Sequence, residues 1–144
     1  LIKEQLKWVD FAFATNRVDE MITWDINSMR EILSERVYWI EQTGDVSLAL
    51  DAVTTPTCWR DLVVAEGFEW HDNRHRVSYM SPYQRILEKG WKRGIWTTLT
   101  EQKIHEEWTI PRFRGYAGHL QVKFVFSPWN EVTRNIEISV EPLT

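Results

Sequence analysis

Apolar residues recur every three or four positions through the first third of this chain and every second position near its end. Ile2, Leu6, Val9 and Phe13 form a helical stripe over residues 1–14, with Lys3, Glu4, Lys7 and Asp10 on the other side. Thr15-Asn16 interrupts it, and Asn16 is placed to cap a short helix carrying Val18, Met21 and Ile22. A longer helix is expected over about 26–41, its stripe formed by Ile26, Met29, Ile32, Leu33, Val37 and Ile40. Asp25 or Ser28 would cap it, and Thr43-Gly44-Asp45 would end it.

Val46, Leu48 and Leu50 alternate with Ser47, Ala49 and Asp51, which predicts a strand over 46–53. Thr54 to Thr57 reads as a loop, while Cys58 to Ala65 suits a short helix or a strand. A strand at 68–71, a polar turn at 71–75 and a strand at 76–80 follow. Ser81 as cap, Pro82 at the first helical position and Gly90 past the end predict a helix over 82–89. After a turn at Lys92-Arg93-Gly94, strands are expected at 95–100 and 104–110, the second stopped by Pro111, with a loop over 112–118.

The clearest pattern comes last. Leu120, Val122, Phe124 and Phe126 share one face with Gln121 and Lys123 on the other, and Ile136, Ile138 and Val140 alternate with Asn135, Glu137, Ser139 and Glu141, across a turn opening at Ser127-Pro128-Trp129-Asn130. That is an antiparallel hairpin with one buried face. The predicted fold is α+β: N-terminal amphipathic helices on a curved, mainly antiparallel sheet formed largely by the second half. This order of elements resembles cystatin-like and NTF2-like cones, and the resemblance implies a sheet wrapped around a pocket. With 144 residues, no repeat and no linker, the chain reads as a single domain over 1–144.

Charge divides the chain. Residues 1–70 hold six Lys/Arg against thirteen Asp/Glu, and residues 71–144 eleven against eight. An acidic helical layer beside a mildly basic sheet accounts for this, and so does a polyanion-facing surface in the second half. No apolar run reaches the ~18 residues needed to cross a membrane. One cysteine, Cys58, and no N-x-S/T sequon favour a reducing, intracellular compartment. Leu1 in place of Met suggests a fragment or a processed product. Nine tryptophans are many for this length, and each is either core or binding platform.

Several residue sets carry chemistry. Glu69 and His71 would share a strand face, or His71 and His75 a helix face, for acid–base work or a metal; a solvated turn explains the same residues. His105 and Glu107 would share a strand face and could transfer a proton inside a cone. Cys58 fits an inert core thiol and Ser81 a helix cap better than either fits a nucleophile. Gly90-Trp91-Lys92-Arg93-Gly94-Ile95-Trp96, followed by Lys103-Ile104 and Trp108, resembles part of the sugar-binding PAW domain of cytosolic peptide N-glycanases. The resemblance is confined to this short stretch and implies a tryptophan ring offered to a sugar face. A tight turn with two core tryptophans is the alternative.

The richest set is basic and aromatic: Arg74, Arg76, Arg85, Lys89, Trp91, Lys92, Arg93 and Trp96, joined by Arg112, Phe113, Arg114 and Tyr116. Exposed Trp, Tyr and Arg dominate binding energy at interfaces. The expectation is therefore a non-catalytic macromolecule-binding domain with a protein partner, within a larger assembly. Its binding residues would be Lys89, Trp91, Lys92, Arg93, Trp96, Arg112, Phe113, Arg114 and Tyr116, pointing outward together. Neither a cofactor nor a metal is expected. The alternatives are a pocket protein or enzyme of a cone-like fold, and nucleic-acid, polyanion or carbohydrate binding through 89–116.

Overall fold

The computed structural model describes residues 2–54, 67–96 and 98–144. Four helices come first: α1 (Ile2–Ala14), α2 (Val18–Ser28), α3 (Arg30–Thr43) and α4 (Ser47–Thr54). Strands β1 (Glu69–His71) and β2 (Arg76–Met80) follow, then α5 (Gln84–Lys92). One unbroken helical run comes next, made of α6 (Glu101–Ile104), a π-helical turn (His105–Thr109) and α7 (Ile110–Leu120). Strands β3 (Val122–Phe126) and β4 (Asn135–Pro142) close the chain. The class is α+β, with an open antiparallel sheet in the order β1-β2-β4-β3. Among the described residues, no helix is long and apolar enough to cross a membrane.

The final hairpin forms as its alternation requires. Val122 and Phe124 of β3, and Ile136, Ile138 and Val140 of β4, are buried, while Lys123 and Glu141 face water. Val77 and Tyr79 of β2 complete this apolar face. It packs on Leu33 and Ile40 of α3, Ala49, Leu50 and Val53 of α4, and Phe113, Tyr116, Ala117 and Leu120 of α7. A second cluster gathers Leu6 and Val9 of α1, Ile22 of α2, Tyr83 just before α5, Leu87 of α5, and Trp96, Leu99, Ile104 and Trp108. Ile26 of α2 packs against both clusters.

Several expectations are corrected. The strand at 46–53 is the helix α4. Asp45 Oδ1 accepts from Ser47 N–H and Oγ–H at 3.0 and 2.6 Å, which starts a helix, and Ala49, Leu50 and Val53 then share a buried face at helical spacing. The strands at 95–100 and 104–110 are absent. Residues 95, 96 and 98–100 return the chain without pairing, and 104–110 is helical. Pro111 does not end that helix: it stands in the first turn of α7, directly after the π-helical turn, which removes the ordinary i→i−4 bond that Pro would break. The loop at 112–118 is α7 itself. Gly115 sits where a Cβ would lie 2.2 Å from Ile26 Cδ1, so its missing side chain reflects close helix packing and not a turn.

Smaller corrections concern caps and faces. Helix α5 begins at Gln84 with no side-chain cap, so Ser81 does not cap it, and Gly90 lies inside the helix. Asn16 and Ser28 cap nothing at a helix start; Arg17 and Met29 hold those positions. Gly44, at φ +71°, does end α3. Ile32 faces outward, and Asp10 faces inward, where its Oδ1 accepts from Thr98 N–H and Oγ–H at 2.9 and 2.8 Å. Cys58 and the ambiguous stretch 58–65 lie outside the described residues.

Candidate functional site

Helix α5 is strongly two-sided. Leu87 and Gly90 are buried, whereas Gln84, Arg85, Glu88, Lys89, Trp91 and Lys92 are exposed, as is Arg93 just after. At about 100° per residue, Arg85, Lys89, Lys92 and Arg93 fall within an arc of roughly 100°. Among the described residues, none of the four makes a salt bridge or a side-chain hydrogen bond.

The base under this row is closely packed. A Cβ on Gly90 would lie 1.8 Å from Trp96 Nε1, so the indole packs on the helix where a side chain is missing. Trp96 Nε1–H donates to Ile86 O at 3.3 Å, and Gly90 O accepts from Ile95 N–H at 2.8 Å. Gly94, at φ +68°, makes the reversal between them. Trp91 Nε1–H donates to Leu99 O at 3.0 Å, leaving that ring half-exposed on the flank beyond Glu88. This stretch is thus a turn built around one buried and one half-buried tryptophan. Trp96, being buried, offers no platform to a sugar.

Of the nine residues expected to point outward together, Lys89, Trp91, Lys92 and Arg93 are joined on the end of α5. Trp96, Phe113 and Tyr116 are core side chains, because the segments expected to be strand and loop coil or turn inward. Arg112 is nearly covered: it lies 4.4 Å over the Trp108 ring, with Nη1 3.8 Å from Asp25 Oδ2. Tyr116 O–H donates to the same Asp25 carboxylate, and His119 Nε2 donates to Ile26 O at 2.8 Å. Burial, opposed by the nearby Arg112 charge, raises the Tyr116 phenol above its ordinary value. These three contacts lock α2 to α7. Arg114 is exposed apart from the α5 row, 5.9 Å over Phe126. Arg74 and Arg76 are engaged with Asp51 and Trp70, and with Asp72 and Glu137.

The acid–base candidates are placed without the geometry that catalysis needs. Glu69 and His71 do share a face of β1, and His71 Nε2 meets Ser78 Oγ at 2.8 Å across the sheet. The Glu69 carboxylate approaches the same Nε2, at 3.9 Å, so it cannot orient the ring from Nδ1 as a serine–histidine–acid array requires. His75 caps its own turn, Nδ1 lying 3.0 Å from Asp72 O. His105 is buried in the π-helical turn with Nε2 3.2 Å from Ser127 O, and Glu107 is exposed. Burial lowers the His105 pKa against the opposing Ser127 carbonyl and Glu106. Among the described residues, no group of three His, Cys, Asp or Glu side chains could hold a metal.

What the sequence pattern concealed is on the helical layer. Trp8 and Phe11 of α1, Trp24 of α2, and Ile32, Tyr38 and Trp39 of α3 are all exposed. Trp8 and Phe11 stand edge to face at 6.3 Å over a cleft of about 330 Å³ shared with Ala12, Arg17, Glu20 and Met21. A second cleft, of about 400 Å³, lies between Glu35, Arg36, Trp39 and Thr43 of α3 and Leu48 of α4. The signal was available: Trp8, Phe11 and Thr15 repeat at i, i+3, i+7, off the Leu6–Val9 stripe. No protein family, curated protein or solved structure matches this chain.

Proposed function

We propose that this chain is a non-catalytic protein-binding domain of a larger assembly, which sets the cationic row of α5 against an acidic surface of its partner. The observation that carries this reading is the row itself: Arg85, Lys89, Lys92 and Arg93, on one arc and without a partner among the described residues. Like charges four apart on a helix repel by ~0.2–0.5 kcal/mol per pair. The macrodipole offsets some of this for Lys89 and Lys92 in the last turn. Arg85 stands in the first turn, where that field disfavours a cation. Within the isolated fold the repulsion along the row is therefore only partly offset, and an external anion would relieve the rest.

An acidic protein face suits the row better than a single-stranded nucleic acid. Bases need aromatic platforms interleaved with the cations, and Trp91 lies on the far flank, beyond Glu88. The test is titration of the protein and of its K89E/K92E variant with a Glu/Asp-rich peptide and with an oligothymidylate of equal charge. The peptide should bind, and the double reversal should weaken it at least tenfold. Preferential, steeply salt-dependent binding of the oligonucleotide would replace this reading by a polyanion-binding one. Binding of neither probe would overturn both.

A further inference from the structure

We infer that the acidic surface meeting α5 is the α3 face of a second copy of the same chain, so that the domain associates head to tail. The inference rests on the reading of α5 just given and names the partner that reading leaves open.

The α3 face is apolar first. Ile32, Tyr38 and Trp39 are exposed there, the last two edge to face at 5.2 Å, and Trp39 walls the 400 Å³ cleft with Leu48. Large exposed aromatics concentrated beside a cleft are what an interface leaves uncovered in the free subunit. Its charge says what covers it. Glu31 and Glu35 are four apart on the same arc as Tyr38, and Glu41 lies just off it. Among the described residues none of these three acids is in a salt bridge. Arg36, next to Glu35 in the chain, is taken up by Asp51 at 3.1 Å, and Arg30, next to Glu31, makes no salt bridge among the described residues. Carboxylates next to the faces of Trp and Tyr are the surroundings that ammonium and guanidinium groups prefer.

The chain itself carries a matching row. Arg85, Lys89 and Lys92 repeat at i, i+4, i+7, and so do Glu31, Glu35 and Tyr38. Both rows advance about 6 Å per four residues, so two helices laid side by side can pair Lys89 and Arg85 with the two glutamates while Lys92 or Arg93 reaches an aromatic ring. Donor row and acceptor face are different patches, so the contact is heterologous. Each subunit keeps one of each free for the next, giving a ring or an open string.

Charge exchange tests this on the intact chain. The wild type should show a weight-average mass in sedimentation equilibrium that rises with concentration and falls on adding salt. K89E/K92E and E31K/E35K should each be monomeric alone. Mixed together they should associate again, because each reversed row then faces a complementary one. A wild type that stays monomeric at millimolar concentration, or a mixture that fails to recover while both variants keep wild-type circular dichroism, overturns the inference. If α5 still captures the acidic peptide under those conditions, the proposed function stands and only the self-contact falls.

Discussion

Between the sheet and helices α3, α4 and α7, buried side chains come from strands whose neighbours are fixed by backbone ladders. Between α1, α2, α5 and residues 95–109 they come from segments with no ladder in common, held by single contacts. Among those contacts are Thr98 on Asp10, the Trp96 ring on Gly90, and Trp91 on Leu99 O. The first cluster can lose a side chain and keep its backbone register. The second depends on a few close approaches, any of which positions a whole segment. The proposed binding row grows from this second region, so its placement is only as firm as the packing of Trp96 beneath α5.

The largest expected effect lies in the sheet cluster. Ile138 is fully buried at the centre of β4, and Ile138→Ala should cost about 3–4 kcal/mol, read as a lower denaturation midpoint by far-ultraviolet circular dichroism. Gly90→Ala should cost less, about 1–3 kcal/mol, because the added methyl must push the Trp96 ring off α5. It should also shift tryptophan emission to the red and weaken peptide capture by Lys89 and Lys92. Hydrogen exchange then sharpens the comparison. Amides of α5 should lose protection in Gly90→Ala while those of β4 keep it; equal loss in both would mean the clusters open as one unit.

The smallest effect is set by pH. Burial lowers the His105 pKa in the folded chain, so the unfolded chain takes up a proton first as pH falls. Stability should therefore decline below about pH 6.5, the ordinary histidine value. His105→Gln should flatten that decline in denaturation series run across pH 5–8, and an unchanged slope would assign the loss to other groups.

Legibility in the sequence followed these two regions. The β3–β4 hairpin, β2 and the turn at 71–75 were readable because strict alternation over five or more residues leaves one solution when a face is buried. Residues 104–118 misled for two reasons. Ile104 and Trp108 fit both periods, and Pro111 and Gly115 carry meanings as breakers that a π-helical turn and a close helix contact reverse. A third of the expected site follows the same error. Arg112, Phe113 and Tyr116 read from the sequence as loop residues facing outward, whereas Lys89, Trp91 and Lys92, with Arg93 just after, lie on a helix that buried Leu87 and Gly90 anchor. The exposed tryptophans of α1 to α3 are not legible because composition alone does not separate a core ring from a surface one.

The wide turn at His105–Thr109 has one more consequence. Fitting an additional residue into a single coil swings everything after it by about 100° around the axis. Ile104 just before the turn and Trp108 within it serve the helical cluster; downstream, Phe113, Tyr116 and Leu120 serve the sheet. A one-residue deletion there, even of exposed Glu106, would restore an ordinary pitch and aim the phenylalanine and tyrosine away from β3 and β4. The extra residue is thus an angular gear that lets one continuous rod fill two interiors facing in different directions.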